Sequence, residues 1–418
     1  MKVLVIGSGA KEHAVTWAFS KSRRISALYA APGNAGTGEI AENIEGIDIT
    51  DPAQVLRTCA DRGIDFVFCG SEWSQAAGVV DKLRAEGFAV LGASKEAARI
   101  ETDRKFANAF MKRHSIPTTE SEHIDSEKRL REYLESHPGR VVLKKNGLAR
   151  YGRTFESESR EELLDFGSTV LKEDTLLAEP FVDGYNLSIL SLVDGKNYLP
   201  LPLASDYSKA RDNEEGAITN GMGAVCPVPI ISGEEHRNIL DNIVEKTLHG
   251  LKKEGLTYRG ILFISLIISD KRPLVTSFHV RFGDPEAQAI IPLITSDFGN
   301  LMEAVYEQQL DTFSLCLSRN SSVGVVIAGE GYPYKNGKDI PVQIENVFPE
   351  RDILIFHGAT YTRNGSQEVF TNGRRSFTVV GLGDNIVEAN SRAYKGTKRI
   401  QFEGAWTRGD IGKNFFSP

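Results

Sequence analysis

Cysteine is scarce in this sequence, and its few copies are widely spaced. The 418 residues include four cysteines, Cys59, Cys69, Cys226 and Cys316, and no two of them form a CxxC pair. A disulfide framework needs a denser set, and a structural zinc site needs ligand pairs at short spacing. Both are therefore excluded as organising features. Reduced, buried thiols are typical of proteins in a reducing compartment, so we expect a cytoplasmic location.

Long apolar runs and an excess of positive charge are also missing. The first apolar run is only Val3-Leu-Val-Ile6, whereas a membrane-spanning helix needs about 20 apolar residues and a signal peptide about 7 to 15. The formal net charge is −7, with 49 Lys and Arg against 56 Asp and Glu. We therefore expect neither a nucleic acid nor a membrane as a partner.

The sequence does contain enough apolar residues for several folded units. Hydrophobic residues make up 41% of a chain that is longer than one ordinary domain. Residues 1–103 alternate short apolar strands with helices, one of them expected over 75–86, and this predicts an open α/β sheet. In residues 104–320 strands follow strands, which is typical of an α+β domain. Residues 321–418 combine strands with Gly, Asn and Arg-rich turns, which predicts a β-rich domain.

Glycine-bearing loops follow three of the predicted strands in the first unit. They are Gly7-Ser-Gly9, Pro32-Gly-Asn-Ala-Gly-Thr37 and Gly70-Ser-Glu72. Ligands in open α/β sheets bind beyond the carboxyl ends of the strands, so we expect these loops to line one crevice. The first loop lacks the third glycine of a dinucleotide fingerprint, because position 12 is Glu. A phosphate on the turn amides, with Lys11 and His13 as added donors, is one interpretation; a tight turn without a ligand is the other.

The string Arg281-Phe-Gly-Asp-Pro-Glu-Ala-Gln288 is the most unusual in the chain. Arg281 carries a planar guanidinium that matches phosphate or carboxylate geometry. Asp284 and Glu286 add more charge than a turn requires. Taken alone, the string is equally consistent with a solvated turn.

These motifs and others occur in an order that resembles one enzyme family. They are Val3-Leu-Val-Ile-Gly-Ser-Gly9 before Glu12 and His13, Ala31-Pro-Gly-Asn-Ala-Gly-Thr37, Lys105-Phe-Ala107, Ile116-Pro-Thr118, Gly221-Met-Gly-Ala224, Arg281-Phe-Gly-Asp-Pro-Glu286, Gly331-Tyr-Pro333 and Asp410-Ile-Gly412. Over nearly its whole length the sequence resembles the phosphoribosylamine–glycine ligases (glycinamide ribonucleotide synthetases) of the ATP-grasp superfamily. The resemblance implies a multidomain α/β and α+β fold. Its parts are a preATP-grasp open α/β domain at 1–103, an ATP-grasp domain at 104–320 with a lid at about 120–190, and a C-terminal β-rich domain at 321–418.

The resemblance also implies a reaction and a set of site residues. The family joins glycine to phosphoribosylamine in purine biosynthesis: ATP phosphorylates the glycine carboxylate, and the amine attacks the acyl phosphate. The implied cofactors are ATP and Mg²⁺ or Mn²⁺, and the implied partners are a phosphoribosylamine-like amine and glycine or another small acid. The implied substrate-binding residues are Gly9, Lys11, Glu12, His13, Gly33, Asn34, Ala35 and Glu72, the ATP-binding residues are Arg104, Lys144, Glu179, Val182 and Arg281, and the catalytic residues are Arg281, Lys144 and Asp206.

The sequence departs from the family at the metal positions. Ser277 and His279 stand where the family has its Glu and Asn metal ligands. Neither is a good ligand for Mg²⁺, which prefers carboxylate and carbonyl oxygen. Asp284 and Glu286 are the candidate substitutes.

The nucleotide loop departs as well. The family's flexible glycine-rich tip is replaced by Ala149-Arg-Tyr-Gly-Arg153, in which Arg150 or Arg153 is a candidate replacement for a lost cation. Three functions stay open at this point. They are an active ligase on a phosphoribosylamine-like substrate, a ligase for another amine and acid, and a catalytically silent ribose-phosphate-binding protein.

Overall fold

The first five strands form one parallel sheet, as the alternation of strands and helices predicts. The computed structural model describes residues 1–149, 153–337, 339–345, 351–363, 366 and 368–416. The strands are β1 (Lys2–Gly7), β2 (Ala27–Pro32), β3 (Glu42–Asn43), β4 (Phe66–Cys69) and β5 (Ala89–Leu91), and they are ordered β3-β2-β1-β4-β5. The helices of this unit are α1 (Ala10–Ser20), α2 (Pro52–Arg62), α3 (Glu72–Ala76) and α4 (Val79–Ala85), with a 3₁₀ turn at Thr37–Glu39.

The single helix predicted over 75–86 is wrong, because two short helices cover this segment. Gly78 separates α3 from α4 and has a φ of +83°. Glycine adopts this left-handed conformation without the steric cost that other residues meet, so the chain turns between the two helices.

The middle of the chain builds two antiparallel four-stranded sheets. Its elements are α5 (Arg99–Thr102), α6 (Arg104–Arg113), β6 (Glu122–Ile124), α7 (Glu127–Ser136), β7 (Val141–Lys145), β8 (Thr154–Ser157), α8 (Arg160–Val170), β9 (Leu176–Pro180), β10 (Tyr185–Val193), β11 (Tyr198–Pro200), β12 (Ser205–Asp206), β13 (Lys209–Arg211), β14 (Glu215–Ile218), β15 (Gly223–Cys226), α9 (Gly233–Ile239), α10 (Glu245–Lys253), β16 (Gly260–Ser269), β17 (Arg272–His279), α11 (Glu286–Ile290) and α12 (Phe298–Tyr306). One sheet has the order β6-β9-β7-β8 and the other β11-β10-β16-β17. A π-helical turn at Leu240–Val244 joins α9 to α10.

The last part of the chain is β-rich and shares a sheet with the middle. Its elements are β18 (Ser321–Ala328), β19 (Ile340–Ile344), β20 (Ile353–His357), β21 (Thr360–Thr362), β22 (Val369–Thr371), β23 (Arg375–Gly383), α13 (Ile386–Thr397) and β24 (Ile400–Gln401). The order β12-β15-β18-β23-β20 places β12 and β15 beside the C-terminal strands. A second sheet has the order β21-β22-β19-β24.

Aromatic packing joins the first unit to the middle of the chain. Phe68 of β4 stacks on Phe282 with 6.0 Å between ring centroids, and Phe19 of α1 meets Phe298 of α12 edge-on at 5.0 Å. All four rings are buried. Packing of these four buried rings fixes the relative position of the two segments. It therefore also fixes the polar residues that lie between them. Within the described part of the chain, every helix is too short or too polar to span a bilayer.

Candidate active site

Three glycine-bearing loops lie side by side at one edge of the parallel sheet. β1 pairs with β2 on one side and with β4 on the other, so the loops that begin at Gly7, Gly33 and Gly70 leave the same edge. The Gly33 amide donates to the Gly7 carbonyl at 3.2 Å, and the Gly70 amide donates to the Ile6 carbonyl at 3.0 Å. The sequence prediction that these loops meet at the carboxyl ends of the strands is confirmed.

The carboxylate of Glu12 lies inside the first loop and accepts its backbone amide. Its Oε2 accepts the Gly9 amide at 2.8 Å, while its Oε1 lies 2.8 Å from Lys11 Nζ. The side chain of Glu12 is almost fully buried. A phosphate on the Gly9 amide would have to displace this carboxylate. Lys11 is therefore the stronger candidate donor of this loop for an anion.

The second loop is tied to the C-terminal part of the chain. Asn34 Nδ2 donates to the Ser8 carbonyl at 3.0 Å and to the His357 carbonyl at 2.7 Å. His13 Nδ1 accepts the His357 amide at 2.9 Å. Burial lowers the pKa of His13 well below its usual value, so the ring is neutral and its Nδ1 is free to accept. Asn34 and His13, both predicted to bind substrate, thus hold the loops together.

The two neighbours of Asn34 are also fixed, Ala35 by the C-terminal part of the chain and Gly33 by the first unit itself. The Ala35 amide donates to the Thr360 carbonyl at 3.4 Å. Gly33 has a φ of +76°, and a Cβ built there would lie 2.1 Å from Asn43 Oδ1. Only glycine fits at this point of the loop.

Glu72 lies between two partly buried cations. Its Oε2 is 3.8 Å from Lys11 Nζ and 3.7 Å from Arg281 Nε. Burial opposes the charge on Lys11, but Glu12 and Glu72 together raise its pKa. The structure therefore brings the predicted residues Lys11, Glu72 and Arg281 into one charged cluster beside the glycine loops.

Glu101 is a site residue that sequence reasoning missed. Its side chain is 0% exposed, and Oε1 lies 2.8 Å from His279 Nδ1 and 3.2 Å from Arg281 Nη2, while Oε2 accepts the Val280 amide at 2.9 Å. Burial disfavours the charge, yet Arg281, His279 and the hydrogen bonds hold the pKa of Glu101 well below its usual value. The sequence signal was weak: a single Glu directly after the apolar residue Ile100.

Ser277 and His279, the two family metal positions, bond to each other. Ser277 Oγ is 3.0 Å from His279 Nε2, and His279 Nδ1 is 2.8 Å from Glu101 Oε1. Burial lowers the pKa of His279 to about 4, so the ring is neutral at pH 7. The neutral ring then donates from Nδ1 to Glu101 and accepts the Ser277 hydroxyl at Nε2. Both ring nitrogens are engaged, and neither is left for a metal ion.

The candidate substitutes for the metal ligands have other partners. Asp284 Oδ1 accepts from Gln288 Nε2 at 2.7 Å and lies 3.3 Å from Arg375 Nη1. Glu286 Oε1 accepts from Ser188 Oγ at 3.2 Å. Among the residues that the structure describes, no group of three or more His, Cys, Asp or Glu side chains is arranged to hold a metal ion. The residues at the family's metal position therefore do not fit Mg²⁺.

A large cavity with many charged side chains in its walls lies next to this cluster, between the two sheets of the middle segment. Its volume is about 760 Å³. Its walls include most of the residues predicted to bind ATP or to act in catalysis, namely Arg104, Lys144, Glu179, Val182 and Asp206, together with Ser277. Lys144 Nζ pairs with Glu179 Oε2 at 2.7 Å. Arg281 does not line this cavity and lies instead on the side of the glycine loops, joined to Ser277 through Glu101 and His279.

Asp206 lies on the cavity wall close to a second carboxyl. Burial raises the pKa of Asp206 to about 8, and the nearby charge of Glu286 adds to the effect. Desolvation and the nearby charge of Glu286 both oppose ionisation, so Asp206 holds a proton near neutral pH.

Arg104 and Arg153 line a second, smaller cavity. This cavity shares Arg104, Glu179, Thr276 and Ser277 with the large one. Arg153 Nη2 donates to the Glu101 carbonyl at 2.6 Å. Burial, with the charge of Arg153, lowers the pKa of Arg104 to about 9. The other arginine of the loop that was considered as a replacement cation, Arg150, lies outside the described residues.

Three family models match the chain in succession. They are described as the N domain, the ATP-grasp (A) domain and the C domain of phosphoribosylglycinamide synthetase, and they match residues 1–101, 102–287 and 322–414.

Individual relatives agree with these matches. Phosphoribosylamine–glycine ligase from Chlorobaculum tepidum is 34% identical, and the alignment covers 99% of each chain. The human trifunctional purine biosynthetic protein is also 34% identical over 98% of this chain, which spans 42% of that protein. The crystal structure of phosphoribosylamine–glycine ligase from Thermotoga maritima superposes with a TM-score of 0.81 at 29% identity, covering 98% of this chain and 100% of that one. The full-length matches, the three domain models and the arrangement of loops and cavity together place the chain in the phosphoribosylglycinamide synthetase family of ATP-grasp ligases.

Proposed function

We propose that this protein is an ATP-dependent ligase that joins glycine to phosphoribosylamine, a reaction of purine biosynthesis that gives glycinamide ribonucleotide, ADP and phosphate. The observation that carries the proposal is that the glycine loops and the large cavity lie on the two sides of one linked set of side chains, in which Arg281 pairs with Glu101, Glu101 contacts His279, and His279 bonds to Ser277 on the cavity wall. Relatives named phosphoribosylamine–glycine ligase, aligned over 99% of this chain, support the choice of substrates.

Each of the three units, 1–103, 104–320 and 321–418, has its own proposed role. The glycine loops of the first unit take the ribose phosphate, with Lys11 and Arg281 as its cationic partners. The cavity of the middle unit takes ATP. The C-terminal unit closes the crevice through His357, which holds the first two loops in place.

The proposed chemistry has two steps. A carboxylate oxygen of glycine attacks the γ-phosphorus of ATP, the bond to the bridging oxygen breaks, and ADP leaves. The amine nitrogen of phosphoribosylamine then attacks the acyl carbon, phosphate leaves with its electron pair, and the nitrogen loses a proton. The protein's task in such a reaction is to position the reactants and to balance charge.

The proposed residues act as follows in that scheme, and Arg281 acts at both the ribose phosphate and the transferred phosphoryl group. Lys144 and Arg104, on the cavity wall, hold the phosphates of ATP. Arg281 stabilises the charge that develops on the transferred phosphoryl group. Asp206 has a pKa of about 8, so it accepts the amine proton in its ionised form, whose share grows as the pH rises towards 8.

The test is a reconstitution with matched omissions. ATP, glycine and phosphoribosylamine, formed in place from ribose 5-phosphate and ammonia, are incubated with the protein, and ADP and product mass are recorded. We expect ADP and glycinamide ribonucleotide only when all three substrates are present. ADP release that is independent of glycine and of the amine, with no product, would contradict the proposal.

A matched pair of arginines tests the site assignment. Arg281→Ala should lower kcat/KM at least about 100-fold, the range seen when one charge-stabilising donor is removed. Arg272→Ala is the control, because that side chain is 80% exposed on β17, the strand that leads to the same loop. We expect its activity to match that of the wild type.

A further inference from the structure

The positive charge around the two cavities is not balanced evenly. Lys144 is paired with Glu179 at 2.7 Å, and Arg281 is paired with Glu101 at 3.2 Å. Each of these pairs is close to neutral as a unit. The cations that line the small cavity itself are Arg104 and Arg153, beside Glu101 and Glu179, the carboxylates that pair with Arg281 and Lys144.

Arg104 and Arg153 have no carboxylate of their own among the described residues. Neither guanidinium forms a salt bridge within 4.0 Å of a described Asp or Glu, and the buried Nε of each lacks a hydrogen-bond partner there. A buried donor that is left unpaired destabilises the folded protein, and more so when it is charged. An anion placed between these groups would remove that destabilisation.

At the position that holds the metal ion in the family, this chain has side chains that bond to one another and leave no ligand for a cation. Ser277 and His279 are bonded to each other and to Glu101, and the Glu101 carboxylate is fully used by Arg281, His279 and the Val280 amide. Ser277, at the family's metal position, lines the same cavity as Arg104 and Arg153, the two arginines that have no salt-bridge partner among the described residues.

We infer that this protein binds the triphosphate of its nucleotide without a divalent cation at the family's metal position, with the guanidinium groups of Arg104 and Arg153 in place of that ion. The inference rests on the proposed function for the identity of the nucleotide. Guanidinium groups bind phosphate oxygens through paired N–H donors and stay charged at all ordinary pH values. Two such groups supply the same formal charge as one magnesium ion.

Calorimetric titration of the wild-type protein with ATP tests this directly. One titration contains EDTA and the other contains Mg²⁺. We expect dissociation constants within about threefold of each other. Binding that is at least about 100-fold weaker in EDTA would overturn the inference.

Two substitutions test whether Arg153 contributes to metal-free ATP binding. Arg153→Gln keeps much of the side-chain length and should weaken ATP binding in EDTA at least about tenfold. Arg99→Gln is the control, because Arg99 lies nearby in the sequence, is 44% exposed and is paired with Glu96. Unchanged binding by Arg153→Gln in EDTA would also overturn the inference.

A restored metal site supplies the converse test. The double variant Ser277→Glu with His279→Asn puts back the ligand types of the family. We expect it to bind ATP more weakly in EDTA than the wild type does, and to recover affinity when Mg²⁺ or Mn²⁺ is added. A double variant whose ATP affinity ignores the metal would contradict the inference.

The outcome separates this inference from the ligase proposal. Product formation together with metal-dependent ATP binding would leave the ligase proposal intact and overturn the inference. Metal-free ATP binding without any product would support the inference and contradict the ligase proposal. ATP binding that is absent in both titrations would overturn both.

Discussion

Replacing Glu101 by Gln tests how the buried charges at the centre of the site depend on one another. The carboxylate accepts hydrogen bonds from two donors, His279 Nδ1 and the Val280 amide, and forms an ion pair with Arg281 Nη2. A Gln side chain has one oxygen and one NH₂ group. Whichever way the amide is turned, its NH₂ group faces at least one of these donors, so a hydrogen bond is replaced by a repulsive contact.

The size of the effect follows from what Arg281 loses. Its other carboxylate neighbour within 4.0 Å is Glu72, at 3.7 Å. Breaking a buried ion pair by removing one partner costs about 3–5 kcal/mol, because the remaining charge stays desolvated. We expect Glu101→Gln to lower the free energy of unfolding by that amount. Glu96→Gln is the control, since Glu96 is 68% exposed and an exposed pair is worth about 0–1 kcal/mol.

Urea denaturation of both variants at pH 6 and pH 8 measures the loss. The folded-state pKa of Glu101 is depressed, so its contribution is present above the unfolded value of about 4.3 and is lost only as the pH falls through the lower folded value. The difference from wild type should therefore be the same at both pH values. A loss below about 1 kcal/mol for Glu101→Gln, or a loss equal to that of the control, would refute the reasoning.

Three further substitutions probe other parts of the site. Asp206→Asn should stabilise the protein. The folded pKa of Asp206 is raised to about 8, so the wild type loses stability as the pH rises from about 3.9 towards 8. The gain in the free energy of unfolding, measured by thermal melts, should therefore grow from pH 5 to pH 8. At pH 7 it should reach up to about 4 kcal/mol. Gly36→Ala should destabilise by about 1–3 kcal/mol in the same melts, because its Cβ would lie 2.2 Å from His13 Cε1. Lys144→Met should raise the calorimetric dissociation constant for ATP at least about tenfold, since it removes a charged phosphate donor and leaves Glu179 unpaired.

The first sheet and its loops were predictable because their signals are local. Short apolar strands followed by glycine turns determine both the parallel order and the edge at which Gly7, Gly33 and Gly70 meet. The break at Gly78 was missed because an isolated glycine inside a helical pattern carries little information by itself.

The central carboxylate was not predictable for a different reason. Glu101 contacts Arg281 across 180 positions of sequence, and its role arises only after β17 has packed beside α5. The hydrogen bonds of His279 likewise depend on that packing. Residue type alone showed that Ser277 and His279 were poor metal ligands, but only the structure showed which groups they contact instead.

The hydrogen bonds of His13 and Asn34 to the His357 backbone have a consequence for folding during translation. The hydrogen bond from His357 to His13 joins residues 344 positions apart. During synthesis from the N-terminus, the glycine loops emerge long before the backbone that holds them has been translated. The first sheet can form early, since its contacts are local, whereas the crevice gains its final shape only near the end of translation. Nascent chains that stop before β20 would therefore carry a folded first unit whose loops still lack their support.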